Sequence, residues 1–255
     1  MSFSRYAKEY DRMARLNTAY QENLSLFRDF LTRYDKNRTL SVCDIGAGTG
    51  NYIQAMHSVM PNCTFTHIDA DTKMNAIAAQ KYADAGISEV DIIEDYFQRI
   101  QLNANSFDLL ICVNALYAIT PPELVLRKFK ELVKPGGTIF LIDFGRRQDV
   151  VDWGFYLFKE IAKKNGVLTA AKEVLSLRNV TRENSNTTRG QQSGDYWEHS
   201  TRDFKRALEN TGFEIEDLGT CYRGYSDMAI CRLPTAIAED SQPRVAPLRL
   251  LESNR

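Results

Sequence analysis

Three glycines fall within five positions in Asp44-Ile45-Gly46-Ala47-Gly48-Thr49-Gly50, which closes the apolar run LSVCDI at 40–45. No other stretch limits the fold as much. A strand-like run that ends in a glycine turn and enters the helix-like YIQAMHSVM is one arm of a β–α–β unit. Glycine loops that open a helix commonly cradle phosphates, because bare backbone N–H groups point at the ligand there. The rest of the chain decides whether phosphate is the ligand here.

The alternation continues through TFTHI (64–68), EVDII (89–93), FDLLICV (107–113) and TIFLID (138–143), all short, apolar and often β-branched. Between them TKMNAIAAQKYADA and PPELVLRKFKELV read as helices, the second running from Pro121-Pro122 to a stop at Pro135-Gly136-Gly137. Upstream, an N-terminal helical segment (1–37) sets Tyr20, Leu24, Phe27, Leu31 and Tyr34 on one helical face. Downstream, TRDFKRALENTG is a helix, and FEIEDLGTCY and YSDMAICRL are strands joined at Arg223-Gly224 as an antiparallel hairpin. The expected fold is α/β: a Rossmann-like, seven-stranded, mostly parallel sheet with an antiparallel C-terminal hairpin and helices on both faces.

The alternation breaks at 148–200, which reads as an insert after strand five rather than a domain. WGFYLFKEIAKK and LTAAKEVLSLRNV are its helices, and the polar NVTRENSNTTRGQQSGDYW is a long loop. Residues 183–195 are expected to be poorly ordered, and the aromatic helix near Phe155 and Tyr156 to line a cavity beneath a lid. One domain thus covers 1–235, with a mobile tail at 236–255.

A formal charge of −1 provides no global field to recruit nucleic acid or anionic lipid. No apolar run approaches a membrane span and no secretory h-region is present, so a cytoplasmic protein without membrane contact is expected. The five cysteines show no CxxC spacing, which argues against a disulfide framework or a metal site.

The glycines are spaced G-x-G-x-G, so Asn51 stands where the dinucleotide fingerprint needs its third glycine, and no Lys-Ser/Thr follows as in a phosphate loop. Asp44, two residues before the first glycine, would repel a pyrophosphate and suits a ligand with an ammonium group. These features disfavour a nicotinamide-dependent reductase. Asp-x-Gly-x-Gly-x-Gly after the first strand resembles the signature of the class I S-adenosylmethionine-dependent methyltransferases. LVKPGGTIFLID and the terminal hairpin are similar to that family's fifth strand and closing pair.

The resemblance spans roughly residues 38–145 and 200–232 and implies a site. Asp44, Gly46, Ala47, Gly48 and Gly50 would form the cofactor loop. Asp69, beside Ala70, would accept the ribose hydroxyls, while Asp71 caps the next helix. Met74 would pack on the adenine, and Asp95 with Tyr96 would meet its amino edge, although Glu94 competes for that role. Asn114 and Tyr117 lie in the loop where cofactor and acceptor meet, and Tyr6 and Tyr10 resemble an N-terminal segment that closes over the cofactor. His199, before the helix at 200, is the candidate base, with Tyr117 the other catalytic candidate; His57 and His67 read as structural. The implied cofactor is S-adenosyl-L-methionine and the implied reaction is methyl transfer to an oxygen or nitrogen of a small organic acceptor. The rival reading is a cofactor-binding regulatory or scaffold protein without catalysis.

Overall fold

The structure, a computed structural model, describes residues 3–235, with side chains from residue 7. The expected tail at 236–255 and the Tyr6 side chain lie outside the described residues.

Five parallel strands, β1 (Ser41–Ile45), β2 (Thr64–Ile68), β3 (Val90–Ile93), β4 (Phe107–Val113) and β5 (Val133–Phe144), are followed by β6 (Glu214–Cys221) and β7 (Ser226–Arg232). They form one sheet of order β3-β2-β1-β4-β5-β7-β6, in which β7 runs antiparallel to both β5 and β6. The order reverses between β1 and β4, and the crevice for a ligand opens beyond their carboxyl ends.

Because successive strand residues point to opposite faces, the sheet has two cores. Val42, Leu109, Ile111, Phe140 and Ile142 pack on one face with Phe27 and Leu31 of α2 (Thr18–Leu31) and Ile53 and Met56 of α3 (Asn51–His57). Cys43, Ile45, Leu110, Cys112 and Leu141 pack on the other with Leu126 and Phe129 of α5 (Pro122–Leu132) and Phe204 and Leu208 of α9 (Thr201–Thr211). Parity therefore sends Asp44 toward the first face, where α1 (Phe3–Leu16) and α2 lie, and Asp143 toward α9.

Local signals explain most element boundaries. Asp71 caps α4 (Thr72–Asp84) by accepting the N–H groups of Lys73 and Met74 at 2.8 and 3.2 Å. Ser200 and Asp203 form a reciprocal capping box that starts α9, and Gly212 ends it in the left-handed region. Two boundaries differ from expectation. α5 stops at Leu132, and 133–137 already belong to β5, whose Val133 pairs with Phe107 across a bulge. The hairpin turn is 222–225 rather than Arg223-Gly224, with a short 3-10 segment at Tyr222–Gly224.

The insert holds the main correction. It folds as three helices, α6 (Val150–Asn165), α7 (Val167–Ser176) and α8 (Arg178–Ser193), so most of the stretch expected as a poorly ordered loop at 183–195 is helix. Its weak helix formers satisfy themselves. Thr181 and Ser185 hydroxyls donate to carbonyls one turn back, each at 3.0 Å. Packing supplies the remainder: Thr188 donates to the Gln148 carbonyl at 3.2 Å, and Gln191 Nε2 to the Phe144 carbonyl at 3.2 Å. Tertiary contacts outweighed propensity. The second expected helix also breaks at Leu177, which separates α7 from α8.

Candidate functional site

The glycine loop leaves β1 and folds back on β2. Gly46 and Ala47 donate their N–H groups to the Ile68 carbonyl at 2.8 and 3.1 Å, and Gly48 donates to Asp69 Oδ2 at 2.8 Å. Gly46, Gly48 and Gly50 all take positive φ. Their surroundings differ in a telling way. A Cβ at Gly46 would stand 2.3 Å from Ala115 Cβ, and one at Gly50 would stand 2.2 Å from the Tyr82 hydroxyl. A Cβ at Gly48 would meet nothing within 4 Å. The outer two glycines thus answer to packing, and Gly48 alone borders open space.

Asp44 is buried at 2 % exposure, and its Oδ2 has no hydrogen-bond partner. Burial, and then the Asp69 charge, push its pKa up to about 8. An orphaned carboxyl oxygen beside an open glycine is a place for a cationic, hydrogen-bonding ligand. Asp69 is also raised by burial, but less, because Asp71 N–H donates to its Oδ1 at 2.8 Å and Gly48 N–H to its other oxygen. A cavity of about 380 Å³ opens beside it, lined by Asp69, Ala70, Asp71, Thr72, Lys73 and Tyr96. Met74 sits in the first turn of α4, where Asp71 caps it.

Glu94 and Asp95 differ in their hydrogen bonds. Glu94 accepts from Thr72 Oγ1 at 2.7 Å and from Asn75 Nδ2 at 3.2 Å, so both of its oxygens are tied to α4. Asp95 accepts its neighbour's N–H, from Tyr96 at 2.7 Å, with Arg99 4.0 Å away. Tyr96 is 58 % exposed and borders the cavity.

On the other side of the crevice, Asn114 takes a positive φ and accepts from Ser226 Oγ at 3.4 Å. Tyr117 donates its backbone N–H to Asp143 Oδ1 at 3.0 Å, and its hydroxyl lies 3.5 Å from Thr187 Oγ1 of α8. Burial holds the Tyr117 phenol at about 12, so it is a neutral donor rather than a base. Tyr10 stacks edge-on against Tyr20 with centroids 6.3 Å apart, and Asp11 of the same helix accepts from Thr49 Oγ1 of the glycine loop at 3.0 Å.

His199 is not placed as a free base. Its side chain is fully buried between two carboxylates, with Nε2 3.2 Å from Asp143 Oδ2 and Nδ1 3.3 Å from Asp227 Oδ2. Arg146 binds Asp227 with both terminal nitrogens at 2.6 and 3.0 Å. Burial pulls the imidazole pKa down, but the two carboxylates outweigh it and hold it at about 9. A histidine protonated at neutral pH and closed off from solvent cannot take a proton from a substrate. Its raised folded pKa stabilises the protein fully below the ordinary value near 6.5, and that contribution is lost as pH rises through 9. His199→Gln should cost about 3–5 kcal/mol at pH 6, because it leaves the buried Asp143 carboxylate without its cation. Urea titrations should show the gap to wild type narrowing by about 1.4 kcal/mol per pH unit between 6.5 and 9. A gap independent of pH would mean that the imidazole is neutral.

The other histidine near the site is also closed. His67 binds Tyr82 Oη at 2.8 Å and Asn75 Oδ1 at 2.9 Å, and burial lowers its pKa to about 4. Phe155 departs from expectation. It is 73 % exposed, whereas its neighbour Trp153 is buried against Tyr222 at 4.7 Å between centroids.

Sequence reasoning missed an aromatic wall that runs from Tyr117 through Phe144 and Tyr222 to Trp153, with successive centroids 5.8, 5.2 and 4.7 Å apart. It also missed Tyr52, whose buried hydroxyl has no partner and whose ionisation burial opposes. No local motif marks these residues, because five separate elements bring them together. Among the described residues no cluster of His, Cys, Asp or Glu could hold a metal ion.

The chain is similar to known proteins in both sequence and fold. The sequence pattern of a family described as a methyltransferase domain matches residues 36–212. A ubiquinone/menaquinone biosynthesis C-methyltransferase from Shewanella sediminis is 25% identical over 139 residues, covering 52% of this chain and 55% of that protein. A reducing polyketide synthase from Preussia isomera is 27% identical over 122 residues, 46% of this chain and 5% of the synthase. The chain thus spans about half the length of the first relative and a small part of the second. Among solved structures, a putative S-adenosyl-L-methionine-dependent methyltransferase from Methanococcus maripaludis superposes with a TM-score of 0.58 at 18% identity, covering 91% of this chain and 93% of that one.

Proposed function

Since the chain belongs to the class I S-adenosylmethionine-dependent methyltransferases, whose cofactor is S-adenosylmethionine, we propose that it transfers a methyl group to an oxygen or nitrogen of a small organic acceptor. The observation that carries this reading is the pairing of an orphaned Asp44 oxygen with open space at Gly48. In this reading Asp44 holds the ammonium of the amino-acid end, Asp69 the ribose hydroxyls, and Met74, Asp95 and Tyr96 the adenine. Gly46, Ala47, Gly48 and Gly50 form the bare backbone between them, joined by Ala70, Asn114 and Tyr10 at its edges. S-adenosylmethionine brings a methyl group already activated on a sulfonium.

The protein's own share is positioning and exclusion of water. The wall from Tyr117 to Trp153 presents apolar faces to an acceptor, and α6–α8 cover it. Tyr117 offers a neutral hydroxyl that orients the acceptor without deprotonating it. Neither His199 nor Tyr117 can serve as a base near neutral pH, so the acceptor atom must arrive nucleophilic, as an amine or an already ionised oxygen. A carbon nucleophile is the second reading, favoured by the similarity to the Shewanella C-methyltransferase.

The proposal is tested with methyl-labelled S-adenosylmethionine and a panel of amines, phenols and enolisable carbonyl compounds, with labelled product as the readout. No labelled product, together with tight binding of S-adenosylhomocysteine, would favour a regulatory binding protein instead. Gly48→Val should abolish cofactor-product binding, since its side chain enters open space that the ligand needs. A thermal melt should show only the modest penalty of a β-branched residue at positive φ, about 1–3 kcal/mol. Retained binding by calorimetry would place the cofactor elsewhere. Tyr117→Phe should lower kcat/KM for the acceptor about two- to tenfold, the worth of one hydrogen bond. The dissociation constant for S-adenosylhomocysteine should stay within twofold, and equal losses in both would remove Tyr117 from the acceptor side.

A further inference from the structure

The turn between the first two helices of the insert carries a feature that the methyl-transfer site does not use. Every residue from 163 to 169, where α6 turns into α7, is exposed. At its tip Val167 is 63% and Leu168 88% exposed, and Leu175, two turns along the same face of α7, is 63% exposed. Lys163, Lys164 and Lys172 are exposed around these apolar side chains. The carboxylates of this hairpin turn inward instead: Glu160 accepts from Thr18 Oγ1 at 3.2 Å, and Glu173 pairs with Arg12 of α1. Lys164 reaches Thr18 Oγ1 only at 3.4 Å. The tip therefore presents apolar side chains ringed by cations, with its anions withdrawn.

We propose that this helix-to-helix tip docks on an anionic lipid surface, with Val167 and Leu168 entering the headgroup region and Lys163, Lys164 and Lys172 facing lipid phosphates. Lysine stems lie along apolar surface while their ammonium groups remain at the polar boundary. Each lysine near an anionic leaflet strengthens binding roughly fivefold, and shallow burial of apolar side chains adds to that. The tip suits a fluid surface better than a protein. Protein interfaces are depleted in lysine, and stable ones bury about 800 Å² on each partner, more than a single turn presents. In a two-fold contact between copies of this chain, the same lysines would face one another. Peripheral docking needs no spanning segment, and no helix among the described residues is long and apolar enough to cross a membrane.

The test is flotation of the full chain with phosphatidylcholine vesicles made with and without phosphatidylglycerol, at low and high salt. Wild type should float with the anionic vesicles at low salt and be released at high salt or without phosphatidylglycerol. The double variant K163E/K164E should bind roughly 25-fold more weakly or worse, two lysines at about fivefold each. V167S/L168S should lose about tenfold. Both variants alter exposed side chains only and should bind S-adenosylhomocysteine as wild type does, so this outcome is independent of whether the methyl acceptor is correctly identified. Absence of wild-type flotation, or flotation unchanged in both variants, overturns the proposal. So does a wild-type dimer in sedimentation velocity that V167S/L168S converts to monomer, which would make the tip an interface between copies.

Discussion

Asp44→Asn will leave the protein folded and more stable, yet without measurable affinity for S-adenosylmethionine. Burial and Asp69 push the Asp44 pKa from its ordinary value up to about 8. An acid whose pKa is raised by folding binds its proton more tightly in the native state, so it costs stability as pH climbs from about 4 toward 8. The asparagine keeps the shape and removes that cost, which at neutral pH is on the order of a few kcal/mol. Melting temperatures of variant and wild type should coincide near pH 4 and diverge up to pH 8. The same variant has no charge to offer an ammonium group, and a charge-assisted hydrogen bond in a buried site is among the strong ones. In the wild type, binding should release the Asp44 proton at pH 7. Calorimetry in buffers of different ionisation enthalpy reads that release directly. Tight binding by the variant, or no buffer dependence in the wild type, would take the ammonium away from Asp44.

Asp69→Ala is expected to weaken S-adenosylhomocysteine binding by about two to four orders of magnitude. The carboxylate that would accept two ribose hydroxyls is also the one that receives the Gly48 and Asp71 N–H groups, each at 2.8 Å. Truncation therefore removes ligand contacts worth about 1.5–3 kcal/mol apiece and frees the glycine loop from β2 at the same time. Asp69→Asn separates the two effects: it retains one acceptor oxygen for the loop and should recover stability more than affinity. Calorimetric dissociation constants and urea midpoints for both variants provide the comparison. An alanine variant that binds as wild type does would remove the ribose from Asp69.

The strand–helix alternation was legible because parallel strands buried on both faces need near-continuous apolar runs, and the runs at 107–113 and 138–143 supply them. The cap at Asp71 was legible for a similar reason, since a short acceptor side chain before TKM satisfies the N–H groups of its own helix. The polar run 178–193 was not. Its helix depends on contacts with Gln148, Phe144 and Tyr117, which lie far away in sequence. Phe155 misled for the complementary reason, because an aromatic residue on a helix does not declare which way its face points.

His199 shows the same division in chemical terms. Read alone it was a histidine beside the site and therefore a candidate base; only the fold reveals Asp143 from the end of β5 and Asp227 from the start of β7 on either side of it. By itself the sequence determined the sheet, the glycine turn and the acidic strand ends, because these rest on residue type and on spacing within a few positions. The tertiary structure decided which glycine faces open space, which of Glu94 and Asp95 has its oxygens tied to α4, and whether an ionisable side chain is charged. Those properties depend on dielectric surroundings and on partners many residues away, and no local stretch of the chain carries that information.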